Sequence, residues 1–174
     1  MNFANGVYVG LSGSNPIYAL GVPQYVTLQS TASSINSGMP YFYNGFPQAD
    51  YLTSAAQYEI EYVLYYQKNT AGTVTYQLSS ANTIAFISSN YIQTAVGGIT
   101  PNGATSNAAA LSAFSNGVSL PATGSLTAGA SANAIIKAYF QTSVSATNLV
   151  LNIIDSAGNI TPLQGSYRKV TRIS

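Results

Sequence analysis

Gln57-Tyr58-Glu59-Ile60-Glu61-Tyr62-Val63-Leu64-Tyr65-Tyr66-Gln67-Lys68 is the stretch on which the reading of the fold turns. Tyr58, Ile60, Tyr62, Leu64 and Tyr66 alternate with Glu59, Glu61, Val63 and Tyr65. That period of two sends one set of side chains to each face of a sheet, and aromatic and β-branched residues suit such a pleated surface. The turn-forming run Asn69-Thr70-Ala71-Gly72 follows, and then 73–79, where Val74, Tyr76 and Leu78 alternate again. The two segments are expected to pair as a β-hairpin.

Outward from this pair the same signals recur. A second hairpin is expected where 148–154 meets 159–163 across Asp155-Ser156-Ala157-Gly158, with Gly158 free to take positive φ. Further strands are expected at 7–11, 17–22, 25–29, 83–88, 91–96, 134–144 and 167–173. Ser106 could cap a short Ala-rich helix over 107–115, closed by Asn116-Gly117, within a stretch (97–129) otherwise read as loops. About ten or eleven short strands separated by Gly, Pro and Asn turns indicate an all-β protein, a single β-sandwich of jelly-roll or immunoglobulin-like type.

The 174 residues include only five Lys and Arg and four Asp and Glu, with 14 Tyr and no His, Cys or Trp. An average soluble domain is about a quarter charged, so this surface must be built from Ser, Thr, Asn, Gln, Ala and Tyr. A net charge of +1 gives copies little mutual repulsion, which suits a protein that packs against itself. Without His or Cys, Ser-His-Asp and Cys-His catalysis are excluded and the usual zinc ligands are missing. The near balance of bases and acids argues against nucleic-acid binding, and no apolar run approaches the roughly 20 residues of a membrane span. No cofactor is expected, because no Gly-rich phosphate loop followed by Lys occurs.

The charges are unevenly placed. Residues 1–49 and 69–136 carry none, Asp50, Glu59 and Glu61 lie close together, and Arg168, Lys169 and Arg172 fall near the C-terminal end. Opposite clusters could make a head-to-tail contact between subunits, or lie on a solvated strand face. Glu59 and Glu61 share a strand face about 7 Å apart, within the range of paired glycosidase carboxylates, but one strand cannot easily bracket a bond. A calcium site built from Asp50, Glu59, Glu61 and loop carbonyls is physically allowed, but their spacing fits no calcium loop. The chain is therefore not expected to be an enzyme. Only Asn159-Ile160-Thr161 fits the N-glycosylation pattern, with Pro162 directly after it.

Two segments carry binding hypotheses. Tyr41-Phe42-Tyr43-Asn44-Gly45-Phe46-Pro47 is the densest aromatic cluster. Exposed, Tyr41, Tyr43 and Phe46 would form a platform for sugar rings such as those of a cell-surface glycan; buried, they would plug one end of the sandwich. At the N-terminus, Phe3, Val7, Val9 and Leu11 share one face of an extended, uncharged strand. Residues 1–13 would either pair within their own sheet or complete the sheet of a neighbouring subunit, with 14–174 as the sandwich domain. Repeated strand donation is a heterologous contact and builds a filament.

With its Tyr-rich strands and the uncharged segment 2–13, the chain resembles the β-sandwich subunits of archaeal extracellular filaments (threads and pili) and the virion surface proteins of viruses of thermophilic archaea. The resemblance implies a structural subunit with a donated N-terminal strand, whose partners are copies of itself. The chain departs from heavily N-glycosylated thread subunits in having one acceptor site. It also shows no basic, apolar export signal, so with Met1 as its natural start it would leave the cell by lysis. Both departures favour a virion component over a pilus. The expected location is a virion surface or an extracellular filament, and a carbohydrate-binding module or adhesin is the alternative. Few carboxylates also mean that net charge changes by only about four units in acid, which fits an acidic exterior.

Overall fold

The computed structural model describes residues 11–12, 15–16, 20–42, 49–95, 118–120, 125–155 and 158–174. No helix occurs among them. The strands are β1 (Leu11–Ser12), β2 (Asn15–Pro16), β3 (Gln24–Thr27), β4 (Ile35–Asn36), β5 (Ala49–Leu52), β6 (Gln57–Lys68), β7 (Val74–Ser80), β8 (Ile84–Ala95), β9 (Val118–Ser119), β10 (Ser131–Thr142), β11 (Thr147–Asp155), β12 (Asn159–Pro162) and β13 (Tyr167–Arg172). Among the described residues β1 and β2 pair only with each other, and the rest form two antiparallel sheets packed into a sandwich. The larger has the order β3-β13-β6-β10-β8, with β12 on β6 and β4 on β12; the smaller has the order β5-β11-β7-β9.

This order decides between the two expected sandwich types. Taking β3, β5, β6, β7, β9, β10, β11 and β13 as eight successive strands, the larger sheet reads first-eighth-third-sixth and the smaller second-seventh-fourth-fifth. That is the double Greek-key order of a jelly roll. β12 and β13 lie end to end along one edge of β6, where Pro162 pairs with Tyr66 and Tyr167 with Val63. β8 is an extra strand between the fourth and the fifth, and it widens the larger sheet beyond β10.

Both expected hairpins are corrected by this topology. β6 lies in the larger sheet and β7 in the smaller, and β11 and β12 are divided in the same way. Each of these connections is an arch that carries the chain from one sheet to the other. An arch uses the same Gly and Asn turn chemistry as a hairpin, so the turn residues could not tell the two apart. The expected strands at 83–88 and 91–96 are one strand, β8, whose register against β10 slips by one residue near Phe86 and Ser88, a β-bulge. The strand expected at 17–22 is represented by a single parallel bridge from Leu20 to Arg172, with 17–19 outside the described residues. The helix expected at 107–115 also lies outside them.

The even-numbered face of β6 is the core, as its alternation predicts: Tyr58, Ile60, Tyr62, Leu64 and Tyr66 are all buried. Val74, Tyr76 and Leu78 of β7 and Leu149, Leu151 and Ile153 of β11 belong to the same core from the opposite sheet. Tyrosine is the bulk filler. Tyr66 meets Tyr76 edge-on with ring centres 6.1 Å apart, and Tyr58 stacks on Phe140 at 5.8 Å. A buried hydroxyl left without a partner costs about 1–3 kcal/mol, and the phenols of Tyr58 and Tyr41 are hydrogen-bonded. The Thr53 amide donates to Tyr58 Oη at 2.9 Å, and Tyr41 Oη donates to the Tyr65 carbonyl at 2.6 Å.

Candidate assembly surface

Two of the four carboxylates are inside the sandwich, and each faces a cation on the opposite sheet. Asp155, the last residue of β11, accepts hydrogen bonds from Lys68 Nζ at 2.7 Å on both oxygens, and both side chains are 0% exposed. Asp50 of β5 lies 3.0 Å from the guanidinium of Arg168 on β13, with side chains 1% and 4% exposed. Arg168 also reaches the Ala49 carbonyl and sits over the Phe42 ring, 5.3 Å from its centre. Burial, reinforced by the charge of Asp50, pushes the neighbouring Tyr62 phenol well above its ordinary pKa. Both acids come from the smaller sheet and both bases from the larger, so these pairs hold the sheets together by charge.

The other two carboxylates lie on the outer face of the larger sheet. β13 and β10 flank β6, which sets Lys169 and Lys137 directly opposite Glu61 on either side. Lys137 bonds Glu61 at 2.8 Å, Lys169 bonds Glu59 at 3.0 Å, and the Tyr167 hydroxyl donates to Glu61 at 2.6 Å. Partial burial works to raise the Glu61 pKa, but the bonds from Lys137 and Tyr167 and the charges of Lys137 and Lys169 outweigh it and hold the carboxyl below its usual range. The Tyr167 phenol is pushed up to about 12, chiefly by its bond to Glu61.

These pairings correct the picture of segregated charge. Arg168 and Lys169 neutralise Asp50 and Glu59 of their own chain, and β13 lies beside β6 in the larger sheet. Arg172 donates to the Ser174 carbonyl instead. Glu59 and Glu61 are ion-paired on an open sheet face, and Asp50 is inside the sandwich, so the three acids do not converge on a calcium ion. Among the described residues no group of three or more His, Cys, Asp or Glu could hold a metal.

The aromatic cluster divides. Tyr41 is fully buried, with its ring against Phe42 and Tyr76 and its hydroxyl also 3.1 Å from Ser166 Oγ. It serves as a core residue and not as part of an exposed platform. Tyr43 and Phe46 lie outside the described residues. Among the described residues, the outer face of the larger sheet exposes Tyr25, Tyr65 and Tyr139, with Tyr25 6.2 Å from Tyr167, and Tyr51 of β5 is exposed on the smaller sheet. The tyrosines of the larger sheet come from four strands distant in sequence. Only the period-two offset of Tyr65 from the buried set hinted at them.

Of the residues expected at a subunit interface, Leu11 belongs to β1 and pairs with Pro16 of its own chain, while Phe3, Val7 and Val9 lie outside the described residues. The edges of the two sheets are unequal. β3, β5 and β9 are edge strands of two to four residues, whereas β8 spans twelve and, among the described residues, pairs only with β10. Its sequence, Ile-Ala-Phe-Ile-Ser-Ser-Asn-Tyr-Ile-Gln-Thr-Ala, has no charge and no proline, the two devices that most often blunt an edge. Sequence reading missed this edge because it divided β8 in two and could not place it in a sheet.

Among the described residues no helix is long and apolar enough to cross a membrane. The chain matches no known protein family and no curated protein sequence.

Proposed function

We propose that this chain is a structural subunit that assembles with copies of itself into a virion surface structure or an extracellular filament. The observation that carries this reading is β8: a twelve-residue, uncharged, proline-free edge strand with one side unpaired among the described residues. Such an edge favours addition of another strand, and an added strand gains main-chain hydrogen bonds along its length. Charge supports the same reading. All four carboxylates are neutralised within the chain, so neighbouring copies meet little net charge and little repulsion.

In this proposal the N-terminal segment 1–13 is the donated strand, with Phe3, Val7, Val9 and Leu11 as its apolar face. Since Leu11 already pairs with Pro16 of its own chain, Phe3, Val7 and Val9 would make most of the contact with a neighbour. The test compares the full chain with a deletion of residues 1–12, by size-exclusion chromatography and negative-stain electron microscopy. The full chain is expected to form filaments or regular particles. The truncated chain should stay unassembled and bind a synthetic peptide of the missing sequence. Normal filaments from the truncated chain would rule out strand donation, and a stable monomer from the full chain would rule out self-assembly.

A second reading, a carbohydrate-binding module or adhesin, is favoured by the exposed tyrosines of the larger sheet. Jelly rolls serve both as capsid and as lectin domains, so the fold alone is an analogy that fits either reading. On this second reading Tyr65 and Tyr139 replace Tyr41 as the stacking surface.

A further inference from the structure

The Lys68–Asp155 ion pair is also close enough for its two groups to react. Lys68 Nζ is 2.7 Å from each carboxylate oxygen, and neither side chain is exposed at all. An atom so placed lies about 3 Å from Cγ, inside the near-attack range. The cross-strand neighbours are buried and apolar: Val74 is opposite Asp155, and Ile160 is opposite Lys68. Both residues are held by strand pairing at the ends of β6 and β11, where two arches pass so closely that Thr70 lies against Gly158.

We propose that Lys68 and Asp155 form an intramolecular amide, an isopeptide bond that joins the two sheets covalently. Along the short hydrogen bond one proton passes from nitrogen to oxygen, leaving an amine beside a carboxylic acid. The free amine is a nucleophile, and rotation of the carboxyl group about Cβ–Cγ turns the carbon face toward it. The Nζ–Cγ bond forms, one Cγ–O bond breaks, and that oxygen leaves as water with two protons, both of which came from the ammonium group. One positive and one negative charge disappear together, and neither an oxidant nor any other reactant is needed. Holding the partners in place supplies an effective concentration of about 10⁵–10⁸ M, the advantage this reaction lacks in free solution.

The second inter-sheet pair cannot react in this way. The Arg168 guanidinium keeps its charge in a protein and has no free amine to attack Asp50. A chain without cysteine would thus have one covalent cross-link, independent of redox conditions, at the arches where tension on an assembled subunit would tend to separate the sheets.

The test is the intact mass of the purified full chain, denatured before measurement, followed by tryptic mapping. The expected mass is lower than the sequence mass by one water, about 18 Da. Trypsin should fail to cut after Lys68, and the peptide 138–168 should remain attached to the segment holding Lys68. Lys68→Arg should restore the full sequence mass. An Asp155→Asn chain should converge on the wild-type mass, because ammonia leaves in place of water. A wild-type chain at its full sequence mass overturns the proposal, and so does a water loss that maps elsewhere, such as a cyclised Asp155–Ser156 linkage.

Discussion

Replacing Arg168 with Met is expected to destabilise the fold by about 3–5 kcal/mol, far more than the loss of a surface charge would. Arg168 and Asp50 approach to 3.0 Å with side chains 4% and 1% exposed, so solvent screens neither. Without the guanidinium, Asp50 stays inside the sandwich beside the phenol of Tyr62, and its charge loses the cation that balances it. The stacking of Arg168 on Phe42 is lost in the same step. In a chain of this length each kcal/mol moves the melting temperature by about 2–4 °C, so the expected fall is about 6–20 °C. Replacing both partners, Asp50→Leu with Arg168→Met, removes the stranded charge as well as the bond. The double variant should lie near wild type or up to about 4 kcal/mol above it. Chemical denaturation and calorimetry of the four chains complete a double-mutant cycle. A cost below about 1 kcal/mol for Arg168→Met, or single effects that simply add in the double variant, would falsify the reasoning by showing that water reaches the pair.

Two further outcomes follow from the same geometry. Glu61 titrates below its ordinary range in the fold and near 4.3 in the unfolded chain, so its contribution is complete above about pH 4.3 and is lost as pH falls through the lower folded value. Melting temperature followed from about pH 6 to pH 2 should therefore fall less steeply for Glu61→Gln than for wild type, and the Tyr167 phenol should return toward pKa 10; identical acid limbs would contradict this. Gly158 has φ +129°, and a Cβ there would lie 2.9 Å from Thr70 Oγ1, so Gly158→Ala should cost about 1–3 kcal/mol in the denaturation midpoint, and an unchanged midpoint would mean that the arches can move apart.

How much of the fold could be read in the sequence depended on the range of the signal. The alternation of Tyr58, Ile60, Tyr62, Leu64 and Tyr66 against Glu59 and Glu61 identified the strand, its bounds and its inner face, and the structure buries all five of the inner set, although Val63 of the outer set is buried too. The Asn69–Gly72 and Asp155–Gly158 runs located real chain reversals but assigned them to the wrong class. Tyr41 was legible as aromatic and as part of a cluster. Whether it was buried depended on Ser166 and the Tyr65 carbonyl, both far away in sequence.

The sequence by itself determined that this is an all-β chain with tyrosine in its core, too few charges for an ordinary soluble surface, and no His or Cys for catalysis or metal binding. These properties belong to composition and to the period of two, which each short segment expresses on its own. Only the tertiary structure decided that successive strands alternate between sheets in jelly-roll order, that β8 is the outermost strand of the larger sheet among the described residues, and that Asp50 and Asp155 lie buried against Arg168 and Lys68. The physical reason is that strand pairing and charge burial are settled by whichever partner is opposite. For Asp155 and Lys68 that partner is 87 residues away, beyond the reach of any local pattern.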